Sequence, residues 1–166
     1  MKLNLGAGDK PIDGYESIDL FPRTPGAKEV DLLQFPWPWE DESIDAIALH
    51  HVLEHFTNIE DMIMELHRIL KPGGELWIRV PHGLASVGHQ FYHFRTFSHA
   101  SFSHVLCGQA PYRFGGVQVF RETYYHCTLP FSWMRFFEKF ASRHADGWEM
   151  SGLFPPVAIE WKGVKV

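Results

Sequence analysis

Apolar and polar positions change period along this chain, and the changes mark its elements. Lys2 to Leu5 is a short alternating run that ends at Gly6-Ala7-Gly8, the pattern of a strand entering a tight glycine turn. Tyr15–Leu20 (YESIDL) predicts a second strand closing on an acid, Asp19, and Lys28–Leu33 (KEVDLL) a third, short one. Ser43–Leu49 (SIDAIAL) is almost continuously apolar, as expected of a strand covered on both faces. From Ile59 to Leu70 the period lengthens: Met62, Ile63, Leu66 and Leu70 fall at helical spacing, and Lys71-Pro72-Gly73-Gly74 ends the run. Glu75–Val80 (ELWIRV) predicts the next strand. Strand, helix and strand at this spacing form a βαβ crossover, which requires a parallel sheet with helices on its faces.

Two other stretches read differently. Phe35-Pro36-Trp37-Pro38-Trp39 contains two prolines, which exclude a regular helix and predict a rigid aromatic loop. After Pro81 the periodicity weakens, and residues 82–128 predict loops and short helices lying over the sheet. Phe131–Phe140 (FSWMRFFEKF) predicts a helix with an aromatic face. Trp148–Leu153 and Val157–Val166 flank Pro155-Pro156 and predict a closing pair of strands.

Composition places this pattern in one globular unit. The 166 residues suffice for one domain with a real core, divided as 1–81, a cover at 82–128 and a closing part at 129–166. Apolar content of 45% and charged content of 21% exclude a disordered chain. No apolar run approaches the roughly 20 residues of a membrane span, and the N-terminus lacks an export-type apolar region. Cys107 and Cys127 are the only cysteines, so a reducing, cytoplasmic setting is expected. Residues 1–81 hold 7 Lys+Arg against 15 Asp+Glu, and residues 82–166 hold 8 against 5. An acidic first half makes nucleic acid an unlikely partner, whereas the second half suits an anionic molecule.

Candidate chemistry clusters at the predicted carboxyl ends of strands, where open parallel sheets bind ligands. Gly6 and Gly8 follow the first strand, Asp19 ends the second, and His50 to His55 follow the fourth. Glycines admit a ligand close to the backbone. A strand-terminal acid can accept both hydroxyls of a ribose. A dinucleotide fingerprint needs a third glycine and an acid roughly 20 residues on; here the acid follows after about ten. The expected ligand is a nucleoside without phosphate at that point.

In order, LNLGAGDKP, SIDL, VDLLQFPWPWEDESIDAIALHHVLEHF and LHRILKPGGELWIRVPH resemble the class I S-adenosylmethionine-dependent methyltransferases, and within them the small methyltransferase type 11-like proteins. The resemblance covers about residues 3–82. It implies an α/β, Rossmann-like, seven-stranded and mostly parallel sheet with an antiparallel C-terminal hairpin, lacking the usual N-terminal helix. It implies S-adenosyl-L-methionine as cofactor. Gly6, Ala7 and Gly8 would pass under its methionine end, Asp19 with Leu20 would hold the ribose, and Asp31 with Leu32 would flank the adenine. His50 and His51 would edge the sulfonium. Asn4 stands where the family often has an acid, so an amide would face the amino group.

Methyl transfer mainly needs alignment, exclusion of water and, for a hydroxyl or protonated amine, a general base. His51, His82 and His93 are the candidates. His93 and Arg95, in HFRTFS, resemble a segment lining the acceptor side in related small methyltransferases, and so are the expected acceptor-binding pair. The expected activity is methyl transfer to oxygen or nitrogen on a small molecule or saccharide; the alternative is a non-catalytic binding module of the same fold. An exposed aromatic cover favours a homodimer.

His51-Val52-Leu53-Glu54-His55 also matches H-x-x-E-H, the inverted zinc-peptidase pattern. On a helix, its two histidines would share one face. A zinc site needs a third ligand on another element, and five histidines lie within residues 82–104. The hydrolase reading explains neither the glycine turn nor Asp19, so no metal is assigned, and Glu54 and His55 are expected to cap and pack the following turn.

Overall fold

The computed structural model describes residues 1–85, 90–104, 106–107, 119–130, 132–145 and 156–166. Seven strands form one sheet: β1 (Lys2–Leu5), β2 (Glu16–Asp19), β3 (Lys28–Glu29), β4 (Ile44–His50), β5 (Leu70–Pro81), β6 (Phe120–Thr128) and β7 (Ala158–Lys165). Their order is β3-β2-β1-β4-β5-β7-β6. The first five are parallel, and β7 runs antiparallel to both β5 and β6.

Register explains which residues make the core. Ile18, Leu5, Leu49, Ile78 and Trp161 are successive cross-strand partners, and all are fully buried. They join one apolar cluster with Met62, Ile63, Leu66 and Ile69 of helix α1 (Ile59–Ile69). That is the helical face expected from the sequence. The neighbouring row on the other face runs Ser17, Asn4, Ala48, Trp77 and Lys162. These small or amphipathic residues fit a thinly covered face.

Differences from the sequence reading concern the second half. Residues 82–128 are not only loops and short helices, because Phe120–Thr128 is the nine-residue strand β6. Its alternation is masked: it is an edge strand, Phe120 is buried while Tyr124 is exposed and Tyr125 half-buried, and its register shifts between Glu122 and Tyr124. The antiparallel partners of β7 are therefore β5 and β6, and the expected strand Trp148–Leu153 lies outside the described residues. Between β6 and β7, a 3-10 turn (Ser132–Met134) leads into helix α3 (Arg135–Arg143), where Phe136 and Phe140 are exposed. A five-residue helix α2 (His99–Ser103) belongs to the cover. β5 pairs from Leu70, directly out of α1, rather than from Glu75.

The aromatic loop is held by charge. Glu65 of α1 accepts the Trp37 backbone N–H at 2.6 Å and is bonded twice by Arg68. Arg68 also donates to the carbonyls of Trp37 and Trp39. Trp37 is buried and gives its indole N–H to the Leu32 carbonyl at 3.2 Å. The loop thus braces the segment after β3. Trp37 stacks against Phe35 and meets Trp39 edge-on.

Candidate active site

A cleft of about 240 Å³ opens at the carboxyl ends of β1 to β4. Chain connections leave β1 and β4 in opposite directions across the sheet, so this is the switch point where such folds bind ligands. Gly6, Asp19, Leu20, Asp31, Leu32 and His51 all line it.

The turn after β1 is built as its glycines require. Gly6 and Gly8 have φ of 66° and 54°, a region costly for side chains bearing a Cβ. A Cβ on Gly6 would lie 2.5 Å from Val52 Cγ2, whereas one on Gly8 would meet nothing within 4 Å. Ala7 is buried and donates to the Ile18 carbonyl at 3.0 Å. Asn4 is buried beneath the turn, and its amide donates to the Lys10 carbonyl at 3.0 Å. The structure thus places Asn4 among the turn's own supports.

Asp19 faces the cleft with its geometry fixed. Oδ2 accepts the Gly8 N–H at 2.7 Å and Oδ1 the Phe21 N–H at 2.9 Å. Each carboxylate oxygen has a second lone pair for a further donor. Asp31 Oδ1 accepts the Leu33 N–H at 2.9 Å, which leaves Oδ2 for an amine. Val30, Leu32 and Leu33 supply apolar wall beside it. Two carboxylates, an apolar slot and an open glycine turn fit a phosphate-free adenine nucleoside carrying a cationic tail.

Other expected residues separate. His51 reaches the cleft in a left-handed conformation, φ 58°, its N–H held by the Arg79 carbonyl at 2.8 Å. His50 points to the opposite sheet face, edge-on to Trp77 at 4.3 Å. Burial, followed by Arg79, pushes its pKa down. His82 is in the interior, and its Nδ1 accepts the Leu84 N–H at 3.1 Å; it does not line the cleft. His93 packs edge-on against His55 at 4.8 Å. Arg95 donates to the Thr57 carbonyl at 2.9 Å. It also lines a second cavity of about 170 Å³ with Leu53, Ile63, Phe97 and Phe102. Phe97 and Phe102 stack in the core of the cover, while Tyr92 and Phe94 are exposed. Cys127 is buried, and burial pushes the Cys107 thiol up.

The H-x-x-E-H stretch is not on an α-helix. After left-handed His51, Leu53–His55 form a 3-10 turn, so the two histidines do not share a helical face. Glu54 and His55 instead come beside His93. Sequence reasoning missed that grouping, and also the roles of Val52 against Gly6 and of Phe56 in the cleft wall.

Sheet order and cleft define a class first: a doubly wound α/β protein with a cleft at its switch point. Residues 24–78, a third of the chain, match the family model described as a methyltransferase domain. By sequence the chain matches no curated protein. Among solved structures, it is similar to an S-adenosylmethionine-dependent methyltransferase from Archaeoglobus fulgidus, with a TM-score of 0.68, 12% identity, and coverage of 99% of this chain and 85% of that one. It is also similar to an S-adenosylmethionine-dependent methyltransferase from Thermotoga maritima (TM-score 0.61, 16% identity, 99% and 82% covered). A third is a geranyl diphosphate C-methyltransferase from Streptomyces coelicolor, solved with Mg2+, geranyl diphosphate and S-adenosyl-L-homocysteine (TM-score 0.62, 12% identity, 99% and 70% covered). Residues 24–78 thus carry the match to a methyltransferase domain, and the whole chain has the fold of these S-adenosylmethionine-dependent methyltransferase structures.

Proposed function

We propose that this protein transfers the methyl group of S-adenosylmethionine to an oxygen or nitrogen atom of a small-molecule or saccharide acceptor. The observation that carries the proposal is the pairing of Asp19 and Asp31 across one cleft with the Gly6 turn. In this reading Asp19 holds the ribose hydroxyls, Asp31 accepts from the adenine amine, and Gly6 to Gly8 leave room for the methionine end. When bound, the cofactor supplies an already activated methyl group, so the chain's work is alignment and exclusion of water. His51, on the cleft wall, is the base for a hydroxyl or ammonium acceptor. The acceptor enters from the side of Leu53 and Arg95, whose cavity shares the turn after β4 with the cofactor cleft. Arg95 offers an anion on the acceptor a cationic fork. The exposed Trp133, Phe136 and Phe140 support self-association, read by light scattering.

Calorimetry with S-adenosylhomocysteine tests the cofactor assignment. Wild type should bind, and Asp19→Ala should abolish binding; unchanged affinity would refute the ribose assignment. Transfer of a labelled methyl group into candidate acceptors then separates an enzyme from a binding module of the same fold.

A further inference from the structure

We infer that Glu54, His55 and His93 form a binding site for a divalent first-row transition cation on the wall between the cofactor cleft and the acceptor cavity. Each residue presents one ligand atom, and these atoms lie within 4.8 Å of one another. They come from two segments, the turn after β4 and the chain after β5.

Charge is the strongest argument. Glu54 is 1% exposed, and neither carboxylate oxygen has a hydrogen-bond donor among the described residues. His51 Nδ1 stands 3.3 Å from Oε1, and the other basic groups beside it are the imidazoles of His55 and His93. A carboxylate sequestered without donors is strongly disfavoured unless a cation meets it. His93 Nδ1 is likewise buried without a partner.

The histidines are set up to ligate. His55 Nδ1 lies 3.2 Å from the Tyr92 carbonyl. A carbonyl only accepts, so Nδ1 carries the proton and Nε2 keeps its lone pair. Metal-ligating histidines are fixed in this way by a second partner. One backbone and one side-chain bond hold the two segments together: the Phe94 N–H donates to the Glu54 carbonyl at 2.8 Å, and the Arg95 guanidinium donates to the Thr57 carbonyl. The grouping is therefore set by the chain path, with Glu54 buried, His93 half-buried and His55 exposed.

Two imidazoles and one carboxylate suit zinc, iron, cobalt or manganese better than magnesium or calcium, which prefer oxygen alone. Three protein ligands leave coordination positions open. A zinc peptidase of the H-x-x-E-H kind would ligate through both histidines and use the glutamate as base; here the glutamate sits with the ligands. His51 and His55 line the cofactor cleft, so an ion held here would stand beside the place the methyl donor takes in this reading. Resting on the methyl-transfer reading, the site's role is to bind an acceptor hydroxyl and make it easier to ionise. Its proton passes to His51, the hydroxyl oxygen forms a bond to the methyl carbon, and the carbon–sulfur bond breaks. The products are a methyl ether and neutral S-adenosylhomocysteine.

The test uses untagged full-length protein stripped with a chelator. Zn2+ is titrated by calorimetry, and Co2+ by its visible absorption. One ion per chain is expected, with cobalt bands of a mixed nitrogen–oxygen site. Glu54→Gln and His93→Ala should each weaken binding at least about tenfold while circular dichroism stays native. His104→Ala, outside the cluster, should leave binding unchanged. No stoichiometric ion in wild type, or binding indifferent to both cluster variants, overturns the inference. S-adenosylhomocysteine titration of the stripped protein runs beside it. If the cofactor binds but no ion does in the metal titration, this site alone falls; if an ion binds but the cofactor does not, the site stands and its methyl-transfer role is removed.

Discussion

Replacing Gly6 with alanine should be far more damaging than the same change at Gly8, although both glycines sit in one turn. Both have positive φ, 66° and 54°, so an alanine pays about 1–2 kcal/mol for the left-handed backbone at either place. Space separates them. At Gly6 the new Cβ would lie 2.5 Å from Val52 Cγ2, and at Gly8 it meets nothing within 4 Å. Val52 is buried under the cleft floor, and crowding a packed interior adds about 1–3 kcal/mol. Gly6→Ala is therefore expected to lose about 2–5 kcal/mol, a large share of the 5–15 kcal/mol that typically stabilises a domain. Gly8→Ala should lose only about 1–2 kcal/mol. Val52→Ala removes the γ carbons that clash. In a double-mutant cycle it should return about 1–3 kcal/mol to the Gly6→Ala protein. Urea unfolding followed by circular dichroism reads wild type, the three single variants and the double variant. Equal losses at the two glycines, or a coupling energy of zero, would show that close approach to Val52 is not why Gly6 is needed.

Other outcomes follow from the same contacts. Gly163→Ala would put a Cβ 2.2 Å from Trp161 Cη2, so a drop of about 1–3 kcal/mol is expected; an unchanged melting temperature would contradict the packing of that indole. Arg68→Ala frees the aromatic loop and strands Glu65. About 2 kcal/mol should be lost, less than for a fully buried pair because the Arg68 side chain is 27% exposed. S-adenosylhomocysteine affinity should fall as well, since Trp37 no longer braces Leu32; intact affinity would mean the loop does not support the cleft. Glu65 is held below its ordinary 4.5, first by its Arg68 hydrogen bond. Its contribution is full above pH 4.5 and is lost as pH falls through the lowered value, so Glu65→Gln should flatten the acid limb of a stability profile. His67 is pushed below 6.5, first by burial and then by Lys165. Its neutral form favours the fold, so stability is full above pH 6.5 and declines as pH drops through the lowered value. His67→Gln should remove that step, and a profile unchanged by the substitution would rule it out.

Local pattern made the parallel core legible. The apolar run at 44–49, the helical spacing of Met62, Ile63 and Leu66, and the glycine turn before Asp19 each report their own environment, because a buried strand or helix face must be apolar at the period of its backbone. The cleft was legible for a related reason: Gly6, Asp19 and Asp31 all sit at strand ends, and strand ends of a parallel sheet converge. β6 was not legible, because an edge strand of aromatics and charges broken by a register shift carries no clean period.

Sequence alone determined the alternation of strand and helix in the first half, the glycine turn after the first strand and the carboxylates near it. Only the tertiary structure decided that His82 lies inside while His51 reaches the cleft, and that His50 turns to the opposite face. It alone brought Glu54 and His55 to His93, 38 residues from His55 by number and 4.8 Å away ring to ring. Such groupings depend on hydrogen bonds between backbone segments far apart in sequence, and these leave no periodic mark on the residues they join.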